Sequence, residues 1–322
     1  MNHLSNMLEG IKNVVILGHV NPDGDCTGST LGLYNYLSEN YPEISLEIHL
    51  ETPSPKFSYL KHFDKIDSTL PDEDCPSFDL CVLLDTSDRG RVGGFLPYLE
   101  KAKTSLCIDH HVTNKGFAQK DVIVPDASST CEVLYTLLEQ DKISKETAAC
   151  IYTGIVHDTG VFKFDCTSSQ TMRIAGELMD KGIPFGWIID ESFYKKTYVQ
   201  NQILGRALLE SITFLNGKCI FSVIRKKDME FYGVNSQDLD GIVEQLRLTD
   251  KVECAIFLYE KNLHEYKVSM RSKNVVDVSA VAAYFGGGGH VKAAGCTMNG
   301  SIHDVINNIS VHIERQLQQA GM

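Results

Sequence analysis

No apolar stretch in this 322-residue chain approaches the roughly 20 residues a membrane-spanning helix needs. Residues Met1 to Lys12 mix acidic, polar and apolar side chains, and lack the basic start and continuous apolar centre of a secretory leader. The ten cysteines contain no CxxC pair. Cys81, Cys107, Cys150, Cys219 and Cys254 sit inside apolar runs, so buried, reduced thiols in a cytoplasmic protein are expected rather than a disulfide framework. Positive charge is also short: 30 Lys and Arg face 42 Asp and Glu, for a net charge of −12. Long nucleic acid is gripped mainly through neutralisation of its phosphates. The balance therefore argues against a long duplex partner, while a small phosphorylated substrate stays compatible with it. No internal repeat or low-complexity tail is present, and the length accommodates two domains.

What is there is an alternation. Short runs at Val14–Leu17, at Ile44–Leu50, which alternates apolar and polar residues, and at Leu80–Leu84, Leu106–Ile108 and Val122–Val124 read as strands. Helical patterns lie at Asp25–Leu37, Ser128–Gln140, Ser144–His157 and Ser168–Asp180, with Ser144 placed to cap. Strands alternating with helices predict an α/β domain with a doubly wound, mainly parallel sheet over residues 1–185. A Gly-Ile-Pro break at Gly182–Pro184 opens a helical linker, 186–210, containing the only tryptophan, Trp187. From Ser211 the pattern changes to a smaller α+β domain, 211–322, with a mixed sheet. Asn216-Gly217 between two apolar runs signals a hairpin, and Cys254–Tyr259 with Tyr266–Arg271 predicts another. Helices follow at Asp277–Tyr284 and Ile302–Leu317, with a short strand near Gly295–Met298.

Three of the apolar runs end in chemistry. The first leads into His19-x3-Asp23-Gly24-Asp25, the third into Asp85, and the fourth into Asp109-His110-His111. Ligands of open parallel sheets bind at the carboxyl ends of strands, so these segments converge on one edge. That concentration of acid calls for cations, and two divalent metals hydrolysing a phosphate ester is the economical reading. Asp23 and Asp25 flank a small residue and can face different metals, and Asp85 is placed to bridge them. Of the adjacent histidines, one binds metal and the other meets substrate, while Asp109 orients an imidazole. Asp158 ends an apolar helix, where the macrodipole disfavours a negative charge, so a cation would compensate it. His157 beside it reads as a local hydrogen-bonding residue. Cys26 lies in the same acidic loop, whose oxygens suit hard cations better than a thiol does. In the second half, Gly286–Gly289 allow backbone amides to approach an anion, with His290, Lys292, Arg271 and Lys273 as cationic candidates.

Together these residues resemble the DHH phosphoesterase superfamily, named for the tripeptide that here is Asp109-His110-His111. His19…Asp23-Gly24-Asp25 resembles its first motif, Asp85 the second and Asp158-Thr159-Gly160 the fourth. The segment Gly286–Gly289 with His290 is similar to the signature of the DHH-associated C-terminal domain. Length and layout are similar to the NrnA-type branch, which degrades short oligoribonucleotides and dephosphorylates 3′-phosphoadenosine 5′-phosphate (pAp).

The resemblance implies that His19, Asp23 and Asp85 hold one manganese, and that Asp25, Asp85, His110 and Asp158 hold the other. It implies His111 beside the scissile phosphate, with Asp85 and Asp109 in the catalytic group. Arg271, Gly287, Gly288, Gly289 and His290 would grip the substrate in a cleft between the domains, and a homodimer is possible. His157 and Lys163 depart from the smaller polar residue and the arginine expected at those positions. Other activities open to such a site are cleavage of pApA or cyclic dinucleotides, pyrophosphate hydrolysis, and nucleotide sensing without catalysis.

Overall fold

The computed structural model describes residues 4–72 and 74–321, and divides into two compact units between Lys195 and Lys196. The division falls inside the segment read as linker.

The first unit runs β1 (Asn13–Leu17), α1 (Gly24–Asn40), β2 (Ser45–His49), β3 (Ile66–Asp67), β4 (Leu80–Leu84), α2 (Leu96–Lys101), β5 (Thr104–Asp109) and β6 (Lys120–Ile123). The helices α3 (Thr130–Leu137), α4 (Lys145–Asp158), α5 (Ser169–Asp180) and α6 (Phe185–Ile189) follow. The sheet has the order β3-β2-β1-β4-β5-β6 and every pair is parallel. The central strands are apolar on both faces because both faces are covered. Val14, Ile16, Val82 and Leu84 pack with α1, α3 and α4 residues such as Leu31, Leu134 and Ile151. Val15, Leu17, Cys81 and Leu83 pack on the other side with Val92, Phe95 and Tyr98. This is the expected doubly wound sheet. Its strand order reverses between β1 and β4, the place where ligands collect in such folds.

The caps follow the sequence. Ser144 accepts the Thr147 amide at the start of α4, and Asp23 accepts the amides of Asp25 and Cys26 at the start of α1. The helix expected over Ser128–Gln140 ends at Leu137, and a turn of 3-10 helix, Gln140–Lys142, replaces its last residues.

The second unit opens with α7 (Tyr198–Leu209), whose Ile203 and Ala207 are buried against Ile220, Leu246 and Phe257. It continues with β7 (Ile212–Phe214), β8 (Cys219–Ile224), α8 (Lys226–Tyr232), α9 (Ile242–Arg247), β9 (Cys254–Asn262), β10 (Glu265–Ser272), α10 (Val278–Tyr284), β11 (Gly288–His290), β12 (Ala293–Asn299) and α11 (Ile302–Gln319). The sheet order is β11-β12-β10-β9-β8-β7, with β8–β9 parallel and the other pairs antiparallel, so the sheet is mixed as expected. The parallel pair exists because α8 and α9 form a crossover between its strands. Alternate residues of β10 (Tyr266, Val268, Met270) are buried with Val305, Ile309 and Ile313 of α11. No helix among the described residues is long and apolar enough to cross a membrane, and all ten cysteines are free.

Candidate metal centre

The carboxyl ends of three adjacent strands meet at the switch point. β1 delivers His19, β4 delivers Asp85 and β5 delivers Asp109, with His110 and His111 beyond it. Asp85 is buried, and its backbone is left-handed (φ 57°), a conformation Asp tolerates better than most residues. That turn swings its carboxylate to the middle of the group. Oδ2 lies 3.3 Å from His19 Nε2, and Oδ1 lies 3.7 Å from His110 Nε2 and 3.6 Å from His111 Nδ1. The two oxygens thus serve two separate sets of donors.

Each set has further members. His19 Nε2 is 3.7 Å from Asp23 Oδ1. His110 Nε2 is 3.1 Å from Asp158 Oδ2 and 3.9 Å from Asp25 Oδ2. Ligand atoms of Asp25, His110 and Asp158 lie within 4.8 Å of one another, as do those of Asp85, His110 and His111, and those of His19, Cys26 and Asp85. The imidazoles of His19 and His110 are both tied to a backbone carbonyl. His19 Nδ1 is 2.8 Å from the Val20 carbonyl oxygen and His110 Nδ1 is 3.2 Å from that of Ala127. For His110, an Nδ1 that donates to the carbonyl leaves Nε2 free to ligate, whereas His19 Nδ1 also faces the Arg91 guanidinium, which can only donate. His111 is turned the other way: its Nδ1 is 2.7 Å from Asp109 Oδ1, which leaves its Nε2 for other work. Asp109 is buried and also accepts from Asn114 Nδ2 at 2.7 Å, so it orients rather than joins the donor sets.

The electrostatics fit two cations. Burial, followed by the charges of Asp85 and Asp158, pushes Asp25 well above the usual carboxylate range. Burial raises Asp158 to about 6, with His110 opposing. His19 and His110 are each raised to about 10, because their carboxylate neighbours outweigh a burial that alone would lower them. Asp23 is lowered to about 2, His19 overcoming the opposite effect of burial. With no cation present, protons would fill the place of positive charge. The donors are carboxylate oxygens and imidazole nitrogens, spaced as a metal's neighbouring ligands are.

Asp158 is delivered by the end of α4 and followed by an unusual turn. Gly160, Val161 and Phe162 are all left-handed, with φ of 56°, 59° and 61°. Thr159 holds the turn: its Oγ1 donates to the Ile155 carbonyl at 2.6 Å and accepts the Phe162 amide at 2.9 Å. His157 differs from expectation. Its buried Nε2 has no hydrogen-bond partner, and its ring packs between Phe57 and Phe193, with centroids 5.0 and 5.4 Å away.

In the second unit, Arg271 of β10 and His290 of β11 both pair with Ala293 of β12 and so occupy one row across three strands. His290 is exposed, and Arg271 Nη1 donates to the Met270 carbonyl. Gly287 and Gly289 lie too close to the β12 backbone for a side chain, whereas Gly288 faces open space.

A model of the DHH family, N-terminal domain, matches residues 13–155, and the DHHA1 domain matches residues 216–319. The chain thus carries a DHH domain followed by a DHHA1 domain. It is 28% identical to a bifunctional oligoribonuclease and PAP phosphatase NrnA of Thermus thermophilus, over 100% of this chain and 95% of that one. It is 27% identical to the protein of that name in Bacillus subtilis, over 88% and 89% of the two chains. The fold is shared with an exopolyphosphatase-related protein of Bacteroides fragilis, at a TM-score of 0.85 and 23% identity, covering 97% of this chain and 94% of that one.

The structure adds residues to this DHH centre that the sequence pattern does not reveal. Thr130 Oγ1 donates to Asp85 Oδ1 at 3.1 Å, and the amides of Thr130 and Cys131, at the start of α3, donate to the two oxygens of Asp25 at 2.6 and 2.9 Å. Arg91 Nη2 lies 3.0 Å from His19 Nδ1. A serine-threonine helix start at Ser129-Thr130 is visible in the sequence. That its amides point at Asp25, 105 residues away, is a property of the fold.

Proposed function

We propose that this chain is a cytoplasmic phosphoesterase using two divalent cations, manganese in the cell, to hydrolyse short oligoribonucleotides to mononucleotides and pAp to AMP. The observation that carries the reading is the division of Asp85 between His19 on one oxygen and His110 on the other. The names of the relatives supply the substrate class, and the net charge of −12 supports short substrates over a long duplex. A homodimer is part of the proposal.

In this reading His19, Asp23 and Asp85 hold one cation, and Asp25, Asp85, His110 and Asp158 the other. When bound there, the cations would supply Lewis acidity that lowers the pKa of water toward neutrality and offsets charge on the phosphoryl oxygens. The chain's own groups hold and place. Asp109 fixes His111 through Nδ1 and keeps it more readily protonated, its pKa raised chiefly by that hydrogen bond. His111 Nε2 then donates to a phosphoryl oxygen as negative charge gathers there. In the second unit, Arg271 and His290 are the proposed phosphate-binding side chains, and the backbone at Gly287, Gly288 and Gly289 leaves room for an anion. No side chain forms a covalent bond to phosphorus.

The test is a panel of pAp, pApA, di- to pentaribonucleotides, cyclic dinucleotides and pyrophosphate, assayed with added manganese. Turnover of pAp and the short ribonucleotides is expected. Pyrophosphate as the best substrate, or no turnover of any member, would overturn the reading. Arg271→Ala is expected to raise KM for pAp with kcat little changed, as for a group that binds away from the reacting bond.

A further inference from the structure

The cation position beside His19 contains a thiol. Cys26 belongs to the first turn of α1, where Asp23 caps its amide at 3.1 Å, and it is fully buried. Its side chain is directed back at the end of β1. A Cβ placed on Gly18 would lie 2.3 Å from Cys26 Sγ, so the sulfur rests against the bare backbone immediately before His19. Ligand atoms of His19, Cys26 and Asp85 all lie within 4.8 Å of one another, and all three residues are buried.

The spacing can be compared with what a cation requires. Bonds of about 2.0–2.3 Å at a tetrahedral centre place neighbouring donors about 3.3–3.8 Å apart. His19 to Asp85 at 3.3 Å and His19 to Asp23 at 3.7 Å already have that separation. The sulfur, within 4.8 Å of both other donors, reaches that range by closing at most about 1 Å. The second position is different. Asp25, His110 and Asp158 contribute only oxygen and nitrogen, and Cys131, whose Sγ lies 3.8 Å from the Asp25 backbone oxygen, belongs to none of the three-residue donor groups among the described residues.

We infer that Cys26 is a thiolate ligand of the cation held by His19, Asp23 and Asp85, which gives that position a higher affinity for thiophilic divalent ions such as zinc or cadmium than its neighbour has, without excluding manganese. The physical basis is ligand softness: sulfur favours zinc-like ions, and carboxylate-rich sets favour manganese and magnesium. On binding, the sulfur–metal bond replaces the S–H bond and the proton leaves to solvent. The inference rests on the two-cation reading above, and deepens it by distinguishing the two positions.

The experiment titrates the metal-free full-length protein with cadmium, reading ultraviolet absorption and calorimetric stoichiometry together. A sulfur-to-cadmium charge-transfer band is expected to saturate at one cadmium per chain. The band is expected to vanish in Cys26→Ser and in Cys26→Ala, both followed by circular dichroism to establish folding, and to persist in Cys166→Ser, which removes the exposed thiol. Cadmium binding without the band, or a band that survives loss of Cys26 or disappears with Cys166, overturns the assignment and leaves the two-cation reading standing. Absence of any cation binding by calorimetry, with cadmium or manganese, defeats both.

Discussion

The imidazole of His157 occupies the volume that a side chain at Gly24 would need: a Cβ there would lie 2.2 Å from the ring's Cγ. The pair joins the loop carrying Asp23 and Asp25 to the helix end carrying Asp158. Gly24→Ala forces one or the other to move, and overpacking of this kind costs about 1–3 kcal/mol. His157→Ala vacates the space. The double variant is expected to recover much of the Gly24→Ala loss, and denaturant unfolding of the four proteins measures the coupling. Strict additivity would show that the two residues do not compete for space.

His157 also sets an acid limit. Burial, reinforced by the charge of Lys56, lowers its pKa from 6.5 to about 3. Between those values the unfolded chain takes up a proton that the folded chain refuses. Stability from this group is therefore complete above about pH 6.5 and declines as pH falls toward 3. His157→Asn is expected to flatten the fall in melting temperature over that window, compared with the parent protein. Identical slopes would remove His157 from the acid response.

Asp85→Ala deletes the carboxylate facing both donor sets. Cation binding and turnover of pAp are expected to fail together, with activity down by at least about a thousandfold, the scale of several kcal/mol of transition-state stabilisation. Calorimetry and a phosphate-release assay on one preparation check this. A variant that still binds two cations would show that another group bridges.

Asp109→Asn keeps the shape but loses the charge that holds His111 Nδ1 at 2.7 Å. A fall in kcat on the order of 10²–10⁴-fold is expected, with cation stoichiometry unchanged. Because Asp109 raises the His111 pKa, its loss should move the alkaline limb of the pH–rate profile to lower pH. A drop in cation binding of the same size as the drop in rate would instead make Asp109 a ligand.

Loading should release protons. Without cations His19 and His110 each hold a proton to about pH 10, and each must lose it before Nε2 can coordinate. Apparent affinity for manganese is expected to rise with pH from 6 to 9. Calorimetry in two buffers of different ionisation enthalpy counts the protons, and heats independent of buffer would contradict the protonated state.

The first unit was legible because its central strands are continuous apolar runs that end abruptly in acid and imidazole. Val14–Leu17, Leu80–Leu84 and Leu106–Ile108 each announce both a buried strand and the place where its ligands fall. The short crossover helices Lys226–Tyr232 and Ile242–Arg247 were not foreseen, since seven and six residues are too few to show a helical period. Their omission hides the parallel pairing of Cys219–Ile224 with Cys254–Asn262. Arg91, Asn114 and Thr130 were invisible as site residues for another reason: their contacts depend on which loops the sheet order makes neighbours. His157 misled because a polar residue beside a candidate metal ligand suggests hydrogen bonding, whereas the fold uses its ring as packing volume.

The three successive left-handed residues Gly160, Val161 and Phe162 have a mechanical consequence. A β-branched or aromatic residue resists that conformation by about 1–2 kcal/mol, so the segment behind Asp158 stays wound only while its surroundings grip it. Heat, denaturant or a distant core defect should therefore release this stretch early, with Asp158 drifting from His110 while the sheet is still intact. The molecule's weakest joint would then be a catalytic one, and its activity would fade at a lower temperature than its fold.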